Sequence, residues 1–157
     1  MKQGVLIINL GTPSQPDKAS VRRYLAEFLA DKRVIDLPAA IRYPLLYGAI
    51  LPFRPKQSAH AYQSIWTAEG SPLLVHSQAL EKKLQAIYGG SVTVALGMRY
   101  GNPSIRAALH ALKHCETISV LPLFPQYSSA ANGSAIEAVF KELSTWTVIP
   151  SLKIIRD

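Results

Sequence analysis

A single cysteine, Cys115, and four histidines are all that this 157-residue sequence offers to thiol or soft-metal chemistry. One cysteine excludes an internal disulfide and makes a reducing, cytoplasmic setting the expectation. Charged residues are also sparse, 17% against 48% hydrophobic, which excludes a disordered solvating chain and leaves enough apolar mass for one ordinary domain. Long apolar runs are missing. The longest candidate, YPLLYGAILPF, is bracketed by Arg42 and Arg54 and falls short of a bilayer span. The apolar stretch behind Met1 is too short and too early for a usual signal peptide. Glycine is scarce where phosphate chemistry needs it: NLGTP holds one, whereas a dinucleotide loop or P-loop needs several.

Lysine and arginine total 17 against 10 acidic residues, a net charge of +7. The cations are scattered from Lys2 to Arg156, and the longest basic runs are pairs such as Arg22-Arg23 and Lys82-Lys83. That distribution lacks the basic stripe of a nucleic-acid binder, so no nucleic-acid partner is expected. It suits small anionic ligands, or a weak attraction to an anionic membrane surface.

The run GVLIINL, ending at Gly11-Thr12-Pro13, reads as a strand buried on both faces. Val21, Tyr24, Leu25, Phe28 and Leu29 then recur at helical spacing within Asp17 to Ala30. From Val34 to Arg54 the prolines at 38, 44 and 52, followed by Pro55, are expected to break any long helix and leave one short helix or a helical lid. KQSAHAYQSIW reads as helix. Ser71-Pro72 supplies an N-cap and a proline at the first helical position for a helix running to Tyr88, which Gly89-Gly90 ends. A second strand is expected over Ser91 to Met98, then a helix opened by Asn102-Pro103, a third strand over Thr117 to Leu123, a helix near Ala130 to Leu143 and a short apolar segment at Leu152 to Ile155. This alternation predicts an α/β fold: a doubly wound parallel sheet with helices on both faces, a single domain over residues 1–157.

In such sheets ligands gather outside the carboxyl ends of the strands. Three loops share that address: NLGTP, MRYGNP and the stretch from Pro122 through Tyr127 and Ser128 to Gly133. Their polar and aromatic residues mark a cleft, although Arg99 pairing with a carboxylate and Tyr100 packing as an ordinary aromatic would explain that strand end equally well. Competing chemistries find less support. His110 and His114 stand four apart beside Cys115, but no acidic third ligand lies nearby in sequence, so surface or partly packed histidines are expected there. Cys115 has no evident base, which argues against a Cys-His nucleophile. The glutamates lie on presumed helices or helix ends and form no carboxylate pair.

Five motifs in order and in spacing resemble the N-terminal half of bacterial ferrochelatases, the enzymes that insert ferrous iron into a porphyrin. They are INLGTP, FLADKRVIDLP, YQSIWTAEGSPL, MRYGNPSI and LPLFPQYSSA, and they span essentially the whole chain. The resemblance implies a flavodoxin-like domain, one of two similar halves with the porphyrin in the cleft between them. It implies that Arg99, Tyr100 and Leu10 face one side of the macrocycle and that Tyr62, Ser71, Tyr127 and Ser128 line the pocket. It also implies that Arg54 and Lys56 fall where family members hold the porphyrin propionates, and guanidinium and ammonium groups do suit carboxylates.

The resemblance further implies that the family's catalytic histidine and partner glutamate lie beyond Asp157. No catalytic residue and no metal ligand is therefore expected within this chain, which is expected to be a fragment inactive alone and to hold no cofactor of its own. Ferrous iron and porphyrin are the implied substrates, and the missing C-terminal half is the implied partner. Leu37 to Phe53 looks like the family's lip over the cleft mouth, giving a cytoplasmic protein in peripheral contact with the inner membrane face, although a core-packed helix pair fits the same residues. A non-catalytic tetrapyrrole- or anion-binding module of the same fold is the alternative function.

Overall fold

The architecture was read from a computed structural model that describes residues 2–156. Strand β1 (Gln3–Gly11) carries the continuous β-branched run at the centre of the sheet, and both of its faces are covered. Leu6 and Ile8 point to one face and Val5 and Ile7 to the other, the two-residue period of a pleated strand. Strands β2 (Val92–Tyr100), β3 (Thr117–Pro122) and β4 (Ser151–Ile154) complete a four-stranded, all-parallel sheet in the order β2-β1-β3-β4.

The connection from β1 to β2 holds α1 (Lys18–Ala30), α2 (Ala39–Pro44), a π-helical turn (Leu45–Ile50), α3 (Leu51–Ile65) and α4 (Pro72–Tyr88). Asp17 caps α1, its carboxylate accepting from the N–H groups of Ala19 and Ser20. Beyond β2, α5 (Ile105–Ala111) and α6 (Ser134–Leu143) cover the opposite face, with a second π-helical turn (Ser129–Gly133) leading into α6. Two helical layers therefore sandwich the sheet. Leu109, Leu112, Ala135 and Val139 close over Leu6, Ile8, Ile118 and Val120 on one side, and Leu74 and Leu84 of α4 cover Ile7, Leu96 and Met98 on the other.

Three sequence expectations change. The prolines do not break the segment after Pro38: α2, the π turn and α3 follow one another without a gap from Ala39 to Ile65. Pro44 is the last residue of α2, and the wider π turn, in which Leu51 N donates to the Leu46 carbonyl, takes up the misfit ahead of Pro52, the second residue of α3. Only Pro55 lies deeper in that helix. Asn102-Pro103 does not start α5. Ser104 is the cap, its hydroxyl accepting from Ala107 N, while the Pro103 carbonyl turns back to Met98 N at 2.6 Å. The Ser71 side chain does not cap α4 either; its hydroxyl accepts from Thr12 Oγ1 at 2.8 Å and ties the start of α4 to the end of β1.

No helix among the described residues is long and apolar enough to cross a membrane.

Candidate functional site

β2 runs two residues further than its sequence pattern suggests, so Arg99 and Tyr100 are the last residues of a strand. Strand geometry sends their side chains to opposite faces, but they converge on one atom. Asp31, which follows the last residue of α1, accepts three hydrogen bonds at Oδ2: from Arg99 Nη2 at 2.7 Å, from the Tyr100 hydroxyl at 2.8 Å and from the Ser134 hydroxyl. Its other oxygen accepts from the backbone N–H of Arg33 at 2.8 Å. Arg99 Nε in turn donates to the Ser134 hydroxyl and carbonyl at 2.6 and 3.1 Å. The end of α1, the end of β2 and the start of α6 are thereby joined through one carboxylate.

The Asp31 side chain is only 8% exposed, and that of Arg99 22%. Burial pushes the Asp31 carboxyl upward, but hydrogen bonds from Ser134, the Arg33 N–H and Tyr100, together with the charge of Arg99, outweigh it and hold the acid below its usual range. The Tyr100 phenol is pushed up to about 12, first by desolvation. At neutral pH the cluster is thus a carboxylate, a guanidinium and two neutral hydroxyls, with no net charge. The Arg99 guanidinium also lies 4.4 Å from the Tyr100 ring centroid, a cation–π contact that fixes its plane.

Two glycines make this edge possible. Gly11 has φ +111°, and a Cβ there would lie 1.8 Å from the Tyr100 carbonyl oxygen. Gly101 has φ +80°, and its Cβ would meet the Thr12 carbonyl at 2.9 Å. The glycine of NLGTP therefore serves close approach between the ends of β1 and β2.

The other sequence-nominated residues divide between this edge and the helical segment beside it. Leu10, half-buried, and Tyr62 pack against the cluster of Tyr24, Leu25, Leu51 and the fully buried Tyr100. Tyr62 meets Tyr24 and Trp66 edge-on, with ring centroids 6.4 and 6.3 Å apart. Ser71 is buried on Thr12. Tyr127 is exposed at the β3 end, beneath the Arg156 guanidinium at 5.2 Å, and Ser128 caps the second π turn through Ala131 N. Arg54 and Lys56 stand exposed on α3, without a hydrogen bond or ion pair among the described residues. A cavity of about 380 Å³ opens between the β1 and β2 loops, with Thr12, Ser14, Arg23, Tyr24 and Asn102 in its wall.

Asp31 and Ser134 escape sequence reasoning as partners of Arg99 because they lie 68 and 35 residues from it, although Asp31 falls within the FLADKRVIDLP motif. An acidic residue just past a helix C-terminus opposes the helix dipole, and that was the available signal. Asn132, fully buried, is a further one: it accepts from Ser128 N and donates to the Arg156 carbonyl, clipping the loop after β3 to the chain after β4. The histidines hold no metal cluster among the described residues. His110 Nε2 lies 3.1 Å from Glu142, and His114 Nε2 lies 3.2 Å from the Thr93 hydroxyl.

Comparison with known proteins accounts for the whole chain. The ferrochelatase family model matches residues 2–157. A ferrochelatase of Legionella pneumophila (strain Philadelphia 1) is 59% identical across 100% of this chain, which covers 47% of that protein. That of Methylococcus capsulatus is 52% identical across 99% of the chain, covering 48% of its own length. One of Coxiella burnetii is 52% identical across 91%, covering 42%. The chain spans about half the length of the curated relatives it matches. With its parallel α/β sheet, its five motifs in order and a family match along its described length, this chain belongs to the ferrochelatase family.

Proposed function

We propose that these residues form the N-terminal half of a ferrochelatase, a lyase that inserts ferrous iron into protoporphyrin IX in heme biosynthesis, and that their carboxyl-end edge is one wall of the porphyrin cleft. The observation that carries this is the Asp31–Arg99–Tyr100–Ser134 cluster: a rigid, charge-balanced edge set beside Leu10 at the mouth of a parallel sheet. A flat apolar ring suits a wall of aliphatic and aromatic groups held in fixed positions. Leu10 and Tyr62 supply that surface, Arg99 borders it, and Tyr100, being fully buried, supports it from behind. Tyr127 and Ser128 extend the wall past β3, and Ser71 holds the loop after β1 in place.

Metal insertion requires loss of two pyrrole protons, so a base must face the ring. None of the described residues at this edge is a histidine or an unengaged carboxylate: Asp31 is saturated with donors, and Glu27 accepts from Gly101 N. The base is therefore assigned to the C-terminal half, and this half alone binds without turning over. Iron and porphyrin enter as substrates, not as resident groups. Arg54 and Lys56, exposed and unpaired, are the cations for propionates. Exposed Ile41, Tyr43, Leu45, Tyr47 and Phe53, the last 77% accessible, favour a lip in peripheral membrane contact over a core-packed helix pair.

An absorbance titration with protoporphyrin tests this reading. The chain should shift the porphyrin band, R54A/K56A should weaken the response, R99A should change its position, and added ferrous iron should give no turnover. No spectral response to the chain, or one that R99A and R54A/K56A leave untouched, would overturn the assignment.

A further inference from the structure

Among the described residues β2 is an edge strand, bonded to β1 on one side and to no strand on the other. A nine-residue edge in a net-basic, largely apolar chain is a template for intermolecular pairing, because its outward N–H groups await an acceptor. Here three of those donors, in the middle of the strand, are taken. Val94 N donates to Gln85 Oε1 at 2.8 Å, Leu96 N to Glu81 Oε1 at 2.8 Å and Met98 N to the Pro103 carbonyl at 2.6 Å. Gln85 also returns a bond, its Nε2 donating to the Val92 carbonyl at 2.9 Å and to the Gly89 carbonyl at 2.6 Å. Side chains of one helix thus stand in for the backbone of a missing strand.

The spacing explains why two positions suffice. Residues four apart on a helix are separated by about 6 Å along its axis, and alternate residues of a strand by roughly 6.6 Å. α4 runs antiparallel to β2, so Gln85 meets Val94 and Glu81 meets Leu96 in step. The next position of that series is Ser77, which is too short to reach and is bonded instead to Leu73 O and Asn9. At that point the turn through Pro103 takes over and serves Met98. The two devices are complementary: the helix guards the first part of the edge and the loop guards the last.

We propose that Glu81 and Gln85 are an edge guard, whose function is to keep β2 from adding the β2 strand of a second copy of this chain. A strand approaching this edge finds the N–H groups of Val94, Leu96 and Met98 already bonded, and meets a carboxylate where it would need to place its own carbonyl. The proposal is independent of porphyrin binding and stands on the α4–β2 geometry alone.

The test uses E81A, Q85A, the double variant E81A/Q85A and the conservative E81Q, which keeps an acceptor for Leu96. Amide hydrogen exchange reads the cap directly. Leu96 should exchange roughly tenfold faster in E81A and Val94 likewise in Q85A, with E81Q close to the parent sequence. Sedimentation velocity over a concentration series reads the guard: the double variant should self-associate more strongly than the parent, while E81Q should not. Should the double variant fail to fold, E81A and Q85A carry both measurements. Unchanged protection of Leu96 in E81A overturns the proposal, and so does faster exchange without any gain in self-association by a folded variant.

Discussion

Asp31→Ala tests whether the end of β2 is held by one carboxylate. The substitution strands the Arg99 guanidinium, removes the acceptor of the Tyr100 hydroxyl and frees the Arg33 N–H. Removing one member of a buried ion pair costs about 3–5 kcal/mol because the remaining charge has lost its counter-ion. Arg99 keeps 22% exposure and its bonds to Ser134, which places the expected cost near the lower end, about 3 kcal/mol. A chain of this length loses roughly 2–4 °C of melting temperature per kcal/mol, so the midpoint should fall by on the order of 10 °C. Circular dichroism melts and urea denaturation at pH 7 measure both quantities.

The origin of the loss is separable from its size. If a stranded charge dominates, replacing Arg99 as well, in D31A/R99M, should recover part of the stability, with a coupling of about 2 kcal/mol in the double-mutant cycle. Buried pairs exchanged for apolar groups of similar volume are often tolerated. Asp31→Asn, which keeps the shape and an acceptor but not the charge, should fall between the parent and D31A. A D31A cost below about 1 kcal/mol, or additive effects in the cycle, would refute the view that this edge is organised around Asp31.

Asp31 and Glu137 both have lowered pKa values, the first by the balance described above and the second chiefly by its hydrogen bond from Arg33. Stability from such groups is complete above the unfolded carboxylate range near pH ~4 and is lost as pH falls through the lower folded values. Melting temperature should therefore drop as pH falls below about 4, and less steeply in D31N; parallel acid limbs for the two proteins would contradict this. Gly11→Ala places a Cβ 1.8 Å from the Tyr100 carbonyl oxygen at a left-handed φ and should destabilise by more than about 4 kcal/mol or prevent folding. Gly48→Ala meets nothing within 4 Å and is the control, expected to melt at or above the parent; a G11A protein that melts with it would remove the close-approach argument.

What was legible in the sequence was local. The β-branched run of β1, the helical spacing from Val21 to Leu29, the Ser71-Pro72 start and the Gly89 stop of α4 each state their geometry within a few residues, and the structure adopts them with small shifts in extent. The continuous helical run from Ala39 to Ile65 was not legible, because proline penalties are visible in sequence and the π turn that relieves them is not. The start of α5 departs from its sequence pattern for a related reason. Asn102-Pro103 carries the chemistry of a cap, but the Pro103 carbonyl is recruited by the β2 edge, and the cap moves to Ser104. Of the candidate site, the strand ends could be placed from topology alone. Their partners could not: Asp31 and Ser134 become neighbours of Arg99 only through the sheet and two helices.

That difference changes how the cations of this chain should be weighed. The family resemblance gives Arg99 a place beside the macrocycle and Arg54 and Lys56 the propionates, but sequence does not say which of these charges is already balanced. Structure separates them by what already holds them. Arg99 is pinned by Asp31, Ser134 and the Tyr100 ring, so its charge is balanced before any ligand arrives, and its contribution is a fixed shape at the strand end. Arg54 and Lys56 stand exposed, with no hydrogen bond or ion pair among the described residues. A carboxylate gains more from a cation that it does not have to share, provided that little desolvation is required, and exposed positions on α3 meet that condition. On the proposed function, the sheet edge therefore sets where a flat ring can lie, and the helix beyond Pro52 sets which of its edges turns outward.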